Sequence, residues 1–220
     1  MKVVIFIPIV YVIEENRKIF DLIKNILKTK NDEYNKNGTR AGKCIFLYDD
    51  ADFSDDVKKY ITDSNILIFK SIKSSKLIKY REELSAQNEQ NEQNDLIDLA
   101  VLGDCRNNTA ISNIQNLYKI KTFLLAIDNT DNLKNITLSK TLDTQIITCG
   151  LKEKDTVIFS SIDIDENDDN SVILDLQRSI ININGETIEP FDENIKLDKI
   201  NAANEDLIFA LTTLLYCARL

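Results

Sequence analysis

The last third of the chain decides the fold. It begins with Thr144-Gln145-Ile146-Ile147-Thr148-Cys149-Gly150, an apolar run rich in β-branched residues that is typical of a buried strand. After Gly150 the apolar residues alternate with polar ones, as they do in strands that bury only one face. This change of pattern predicts that the chain passes from a parallel sheet to an antiparallel meander.

Three antiparallel strands are predicted after Gly150, over residues 155–164, 171–183 and 186–188. Asn184-Gly185 predicts a two-residue type I′ hairpin between the last two, because both central residues of that turn take positive φ. Asn201 then predicts the N-cap of a closing helix. The apolar side chains of this helix are predicted to share one face: Ala203, Leu207, Ala210, Leu211, Leu214 and Ala218.

The first 150 residues repeat a strand-helix pattern, which is typical of a parallel sheet with helices on both faces. The predicted strands are residues 3–13, 44–48, 66–69, 96–102, 122–127 and 144–149. The predicted helices are residues 14–30, a segment beginning near Ser54, and residues 74–84 and 109–118, while residues 132–139 are predicted to be a short helix or turns. Residues 31–42 are predicted to be a loop, and residues 85–95, with their tandem Asn-Glu-Gln, a mobile low-complexity insertion.

The predicted fold class is therefore α/β. A mostly parallel sheet with helices on both faces occupies residues 1–150, and residues 151–220 add a three-stranded antiparallel subdomain and the closing helix, packed on the same domain. A chain of 220 residues can bury a sizeable core, since a fold of this size removes about 70% of its unfolded surface from water.

Charge and composition exclude several classes of function. The formal net charge of -9 disfavours nucleic acid and anionic membranes, because binding to phosphate requires clustered Lys and Arg. The chain has no histidine, which excludes Ser-His-Asp and Cys-His catalysis and any His-ligated metal. Any catalysis would have to use carboxylates, Cys, Lys or Tyr.

The cysteines and the apolar segments predict a cytoplasmic protein. Cys44, Cys105, Cys149 and Cys217 lie far apart with no CxxC pair, which favours reduced thiols, and the last two are predicted to be core residues. The apolar run at residues 3–13 continues directly into Glu14-Glu15, so it is interpreted as a buried strand and not as a signal peptide. No apolar run reaches the roughly 20 residues that a membrane-spanning helix requires.

Four short segments occur in an order that carries a resemblance. They are Asp98-Leu99-Ala100-Val101-Leu102, Leu124-Leu125-Ala126-Ile127-Asp128-Asn129-Thr130-Asp131, Ile147-Thr148-Cys149-Gly150 and Ile200-Asn201-Ala202-Ala203-Asn204. In order and spacing, over about half of the chain, they resemble the later part of the central domain of the Mur ligase family. The resemblance implies a sheet followed by three antiparallel strands and a helix opened by the Asn-x-x-Asn segment.

The chain also departs from the family at the residues that would hold ATP. The family's Gly-rich phosphate loop follows the first strand, where this chain has Ile13-Glu14-Glu15-Asn16 and would present negative charge to a phosphate. The family's metal-binding histidine is missing, and Ile200 stands in place of the histidine before Asn201. We therefore expect no ATP-dependent ligation by this chain alone, no catalytic residues and no cofactor.

The resemblance and the strand ends together give a set of candidate ligand-binding residues. Ligands of open α/β sheets bind beyond the carboxyl ends of the strands. The candidates are Asp104, Asp128, Asn129, Asp131, Asn201 and Asn204. Asp and Asn also follow strands simply because they cap helices and turn the chain, and this explanation remains open.

Three hypotheses of function follow. The first is a non-catalytic Mur-ligase-like protein that binds itself, an active wall-synthesis enzyme or a small ligand at the relict cleft. The second is a divalent-metal-dependent enzyme in which Asp104, Asp128 and Asp131 hold Mg²⁺, which takes oxygen ligands. The third is a purely structural or assembly role.

Overall fold

One large sheet connects the two parts of the chain. The computed structural model describes residues 9–13, 18–36, 44–47, 66–70, 96–103, 119–126, 144–163, 171–197 and 204–218. The strands of this sheet are β1 (Ile9–Ile13), β2 (Cys44–Leu47), β3 (Ile66–Lys70), β4 (Leu96–Leu102), β5 (Lys119–Leu125), β6 (Gln145–Gly150), β7 (Val157–Asp163), β8 (Ser171–Leu176) and, from the end of the meander, Phe191–Lys196. The fold class is α/β with a mostly parallel sheet, as the sequence predicts.

Seven strands of the sheet run parallel, in the spatial order β2-β3-β1-β4-β5-β6-β7. Both faces of a parallel sheet are covered by other elements. Strands in such a sheet are therefore continuously apolar and rich in β-branched residues, as these are. In β4 every side chain from Ile97 to Leu102 is buried, although successive residues point to opposite faces. Asp98 is the charged member of this run, and its carboxylate pairs with Lys121 Nζ at 2.7 Å.

The antiparallel part extends the same sheet at one edge. β7 pairs in parallel with β6 over Cys149–Gly150 and Val157–Ile158, and β8 pairs antiparallel with β7. The third strand of the meander is Phe191–Lys196, which pairs antiparallel with β8, whereas the prediction placed it at residues 186–188. This strand carries Asp192, Glu193 and Asn194 in its middle, so its alternation is too weak to identify it from the sequence.

Residues 180–188 instead form a separate two-stranded hairpin, β9 (Ile180–Ile181) and β10 (Thr187–Ile188), so the edge strand Phe191–Lys196 is β11. The predicted type I′ turn is wrong. Gly185 has φ of 81°, Asn184 is not in the positive region, and the Gly185 N–H donates to Asn182 O at 2.9 Å. This is the pattern of a three-residue loop that ends in a left-handed glycine, which needs one positive φ and not two.

Two helices are described, α1 (Lys18–Lys36) and α2 (Asn204–Tyr216). α1 buries Ile19, Phe20, Ile23 and Ile26 on one stripe, as predicted. It continues through residues 31–36, which were predicted to be a loop, because no glycine or proline interrupts the chain before Gly38. The predicted helices at residues 74–84, 109–118 and 132–139, the helix near Ser54, the insertion at 85–95 and the N-cap Asn201 lie outside the described residues.

α2 is buried on every side and not on one face only. All residues from Leu207 to Cys217 are buried, including Thr212 and Thr213. The reason is its position, since α2 contacts β5, β6 and β7 and also α1. A helix covered by both a sheet and a second helix buries its polar positions too, which a single-face prediction misses.

Tyr216 joins the last turn of α2 to the middle of the parallel sheet. Its hydroxyl donates to the backbone carbonyl of Asp98 at 3.0 Å and accepts from Thr122 Oγ1 at 3.2 Å. Burial raises the pKa of Tyr216, so the hydroxyl keeps its proton and remains a donor. The hydrogen bonds fix α2 to β4 and β5 at one defined point.

We predict that Tyr216→Phe lowers the free energy of unfolding by about 1–3 kcal/mol, because a buried carbonyl and a buried hydroxyl lose their partner. Urea denaturation measures the change. Thr213→Val is the matched control, since it also removes a buried hydroxyl from α2 but breaks only a bond to Phe209 O within the helix. Equal losses in the two variants would show that the link to the sheet contributes nothing beyond burial.

Candidate functional site

The strand order has a topological switch point between β1 and β4, the position where open α/β sheets have a ligand-binding crevice. After β1 the chain continues to β2, which lies to one side of the β1–β4 pair within the sheet. After β4 it continues to β5, which lies to the other side. Ile13 and Leu102 are paired at the carboxyl ends of these neighbouring strands, and buried Gly103 follows Leu102. Connections that diverge from adjacent parallel strands leave the opening where open α/β sheets bind ligands.

Both helices begin at the same edge of the sheet as this crevice. α1 starts at Lys18, shortly after the carboxyl end of β1. α2 runs in the opposite direction to the strands, because Tyr216 reaches Asp98 in the first half of β4, whereas Asp206 near its start pairs with Lys18, which follows the carboxyl end of β1. Its first residue, Asn204, is therefore directed towards the carboxyl edge.

An ion pair links the two helix starts, with Lys18 Nζ 3.5 Å from Asp206 Oδ2. Each helix has acids in its first turn, Asp21 in α1 and Glu205 and Asp206 in α2. The positive ends of the helix dipoles thus already face carboxylates of the chain itself. This edge of the described structure is poorly suited to a strongly anionic ligand.

The predicted ligand-binding residues lie mostly beyond what the structure describes. Asn204 is described, and it is half-buried at the start of α2. The others, Asp104, Asp128, Asn129, Asp131 and Asn201, lie outside the described residues. β4 and β5 are adjacent and parallel, with Leu102 opposite Leu125, so the segments that follow these strands start from neighbouring positions.

A buried polar cluster that the sequence did not predict lies at the carboxyl end of β6. Asp155 was predicted to begin a strand, but it folds under the turn after Gly150 and is only 2% exposed. Its carboxylate accepts the Lys152 N–H at 3.3 Å, and its own N–H donates to Lys152 O at 2.9 Å. A glycine followed by a run of charged residues was the available signal for a turn at this place.

Thr148 and Thr156 close this turn. The Thr156 N–H lies 2.9 Å from both the carbonyl and the hydroxyl of Thr148, and the two hydroxyls are 3.2 Å apart. β6 and β7 are therefore held together although their ladder is short. The prediction that Cys149 and Cys217 are core residues is confirmed, with exposed fractions of 0% and 3%.

The environment of Cys149 makes the thiol inert. Burial raises its pKa well above the ordinary value, and the nearby Asp155 carboxylate raises it further. The thiolate, which is the nucleophilic form, is disfavoured. Cys149 is a structural residue of the site edge and not a candidate nucleophile.

Neither a metal cluster nor a membrane span is found in the described parts of the chain. No group of three or more Cys, Asp or Glu side chains there could hold a metal ion. Neither α1 nor α2 is long and apolar enough to cross a bilayer. No protein-family model matches the sequence, and no curated protein matches it.

We predict that Gly150→Ala destabilises the fold by about 1–3 kcal/mol, because its new Cβ would lie 2.5 Å from the buried Asp155 Oδ2. Thermal and urea unfolding measure this loss. The comparison is the double variant with Asp155→Ala, in which the clash is absent. If Gly150→Ala costs as much in the Asp155→Ala background as alone, the contact is not the cause.

We also predict a loss of stability in alkali that depends on Cys149. Its pKa is raised in the folded state, so the thiol stabilises the fold fully below the unfolded pKa, and this contribution is lost as pH rises above about 9. The loss approaches about 1.4 kcal/mol per pH unit for one proton. Urea unfolding of Cys149→Ala between pH 7 and 10 should give a shallower decline, and parallel curves would contradict the assignment.

Proposed function

We propose that the chain is a cytoplasmic, non-catalytic, Mur-ligase-like binding module. The observation that carries the proposal is the short connection between β1 and α1. β1 ends at Ile13 and α1 begins at Lys18, which leaves residues 14–17, Glu-Glu-Asn-Arg, to join them. A phosphate loop at this position needs glycines that let backbone N–H groups surround a phosphate, and a Lys that reaches it.

The charges at the carboxyl edge support the same proposal. Residues 14 and 15 are glutamates, and the first turns of both helices contain acids. Each carboxylate near a helix N-terminus interacts with the positive end of the helix dipole, as a bound phosphate would. A triphosphate brought to this edge would meet the like charge of these carboxylates, and Lys18 there is already paired with Asp206.

The order of the C-terminal elements supports the ligase-like part of the proposal. The Ile-Thr-Cys-Gly segment ends β6, and β7 pairs in parallel beside it. β8 pairs antiparallel with β7, β11 pairs antiparallel with β8, the β9–β10 hairpin lies between them in the chain, and α2, which includes Asn204, follows. The resemblance implies three antiparallel strands and a helix after this segment. The occupant of the crevice between β1 and β4 would then be a ligand without a strongly charged phosphate group, or a segment of a protein partner.

Isothermal titration with Mg-ATP, together with a phosphate-release assay, tests the absence of nucleotide chemistry. We expect no saturable heat at millimolar Mg-ATP and no release above that of buffer, because residues 14–17 contain neither the glycines nor the lysine that hold a phosphate. Titration with MgCl₂ alone separates any effect of the metal. Micromolar binding of Mg-ATP with turnover would refute the proposal.

A second candidate function has one structural observation in its favour. Adjacent, parallel β4 and β5 bring the segments that carry Asp104 and Asp128 to neighbouring strand ends, and Asp131 follows three residues later. Carboxylates gathered there would suit Mg²⁺ in a divalent-metal-dependent enzyme.

Titration with Mn²⁺, followed by the electron paramagnetic resonance of the unbound ion, tests this alternative. A shared site predicts that Asp104→Asn and Asp128→Asn each weaken Mn²⁺ binding by about tenfold or more, since each removes a charged ligand. Asp192→Asn, on exposed β11, is the matched control and should leave binding unchanged. Identical titrations for all three variants would eliminate the metal site.

A further inference from the structure

The β9–β10 hairpin, residues 180–188, stands apart from the main sheet. Its two strands pair only with each other in the described structure, over two residue pairs. Its turn is exposed, and Ile181 is 53% exposed. At the base of the hairpin, the Ser179 hydroxyl donates a hydrogen bond to Glu189 Oε2 at 2.7 Å. The hairpin is thus a closed unit with its own internal hydrogen bonds.

Three hydrogen bonds attach this unit to the rest of the molecule. The side-chain amide of Gln145 acts as a strand would, accepting the Ile181 N–H at 2.7 Å and donating to Ile181 O at 3.0 Å. The Ile183 N–H donates to Tyr216 O at 2.9 Å. Both Gln145 bonds are solvent-exposed, so water can replace them at low cost.

The hairpin covers the carboxyl end of α2. The Tyr216 carbonyl is one of those that a helix leaves without an intrahelical partner, and Ile183 supplies its donor. Ile180 and Ile183 are 2% and 9% exposed and belong to the same apolar core as Cys217, the residue after Tyr216. Lifting the hairpin would remove these apolar side chains from the end of the helix.

We propose that the β9–β10 hairpin is a latch that opens as a unit while the nine-stranded sheet stays folded, and that its opening uncovers the end of α2 with Cys217. The attachment is small, partly exposed and separate from the sheet ladder, which is the character of segments that open locally. Gln145 is the main attachment of this latch, because its side chain makes two of the three hydrogen bonds.

Pulsed alkylation with N-ethylmaleimide, read by mass spectrometry, tests the proposal on the unmodified chain. Trypsin cleavage at Lys140 and Lys152 isolates Cys149, and cleavage at Lys199 and Arg219 isolates Cys217. Both thiols are buried, so each reacts only after an opening. We expect Cys217, relative to its rate in the unfolded chain, to react at least about tenfold faster than Cys149, with a weaker dependence on urea.

Two variants separate local from global opening. Gln145→Ala should accelerate labelling of both thiols. The two Gln145 hydrogen bonds stabilise only the closed, folded state, so their loss favours both the opening of the latch and global unfolding. Val101→Ala, in the buried centre of β4, should accelerate labelling of Cys149 and leave Cys217 unchanged. Equal normalised rates and equal urea dependence for the two thiols, in the parent and in both variants, would mean that only global unfolding exposes Cys217 and would overturn the proposal.

Discussion

The structure depends on the burial of α2 from Leu207 onwards. A helix enclosed by a sheet on one side and by α1 on another requires partners inside the protein for most of its polar groups. Tyr216 meets this requirement through a carbonyl of β4 and a hydroxyl of β5, and its own carbonyl is capped by Ile183. The direction of α2, and so the position of Asn204, follows from these contacts.

That direction determines the character of the candidate site. The starts of α1 and α2 lie at the edge where β1 and β4 diverge, and Lys18 and Asp206 hold the two starts together. The strand order places at this edge the switch point that α/β proteins commonly use for ligands. Its chemistry differs from that of a nucleotide site, because the helix starts are supplied with carboxylates and the connection from β1 to α1 is short.

The sequence predicted the parallel sheet well, because apolar β-branched runs such as Cys44–Leu47 and Gln145–Gly150 need cover on both faces. It missed features that depend on tertiary position. β11 is charged since its exposed face needs no apolar residues, Asp155 is buried by a turn, and Thr212 and Thr213 are buried because α1 covers α2. Of the predicted site residues, Asn204 lies at the start of α2, and its role as a ligand-binding residue, like that of the carboxylates after β4 and β5, remains a prediction. No local pattern identifies which side chains converge across neighbouring strands.

The charged strand β11 has a consequence for how copies of the chain meet. It is the terminal strand of the sheet in the described structure, and it exposes Asp192, Glu193 and Lys196 along a full six-residue ladder with β8. An open strand edge is a template for fibre-like growth, and natural proteins protect such edges with charge. Here Asp192 also lies opposite Asp175, so an approaching edge of the same kind would meet concentrated negative charge. The negative charge of β11 therefore disfavours growth of fibres through pairing of this edge with the same edge of another copy.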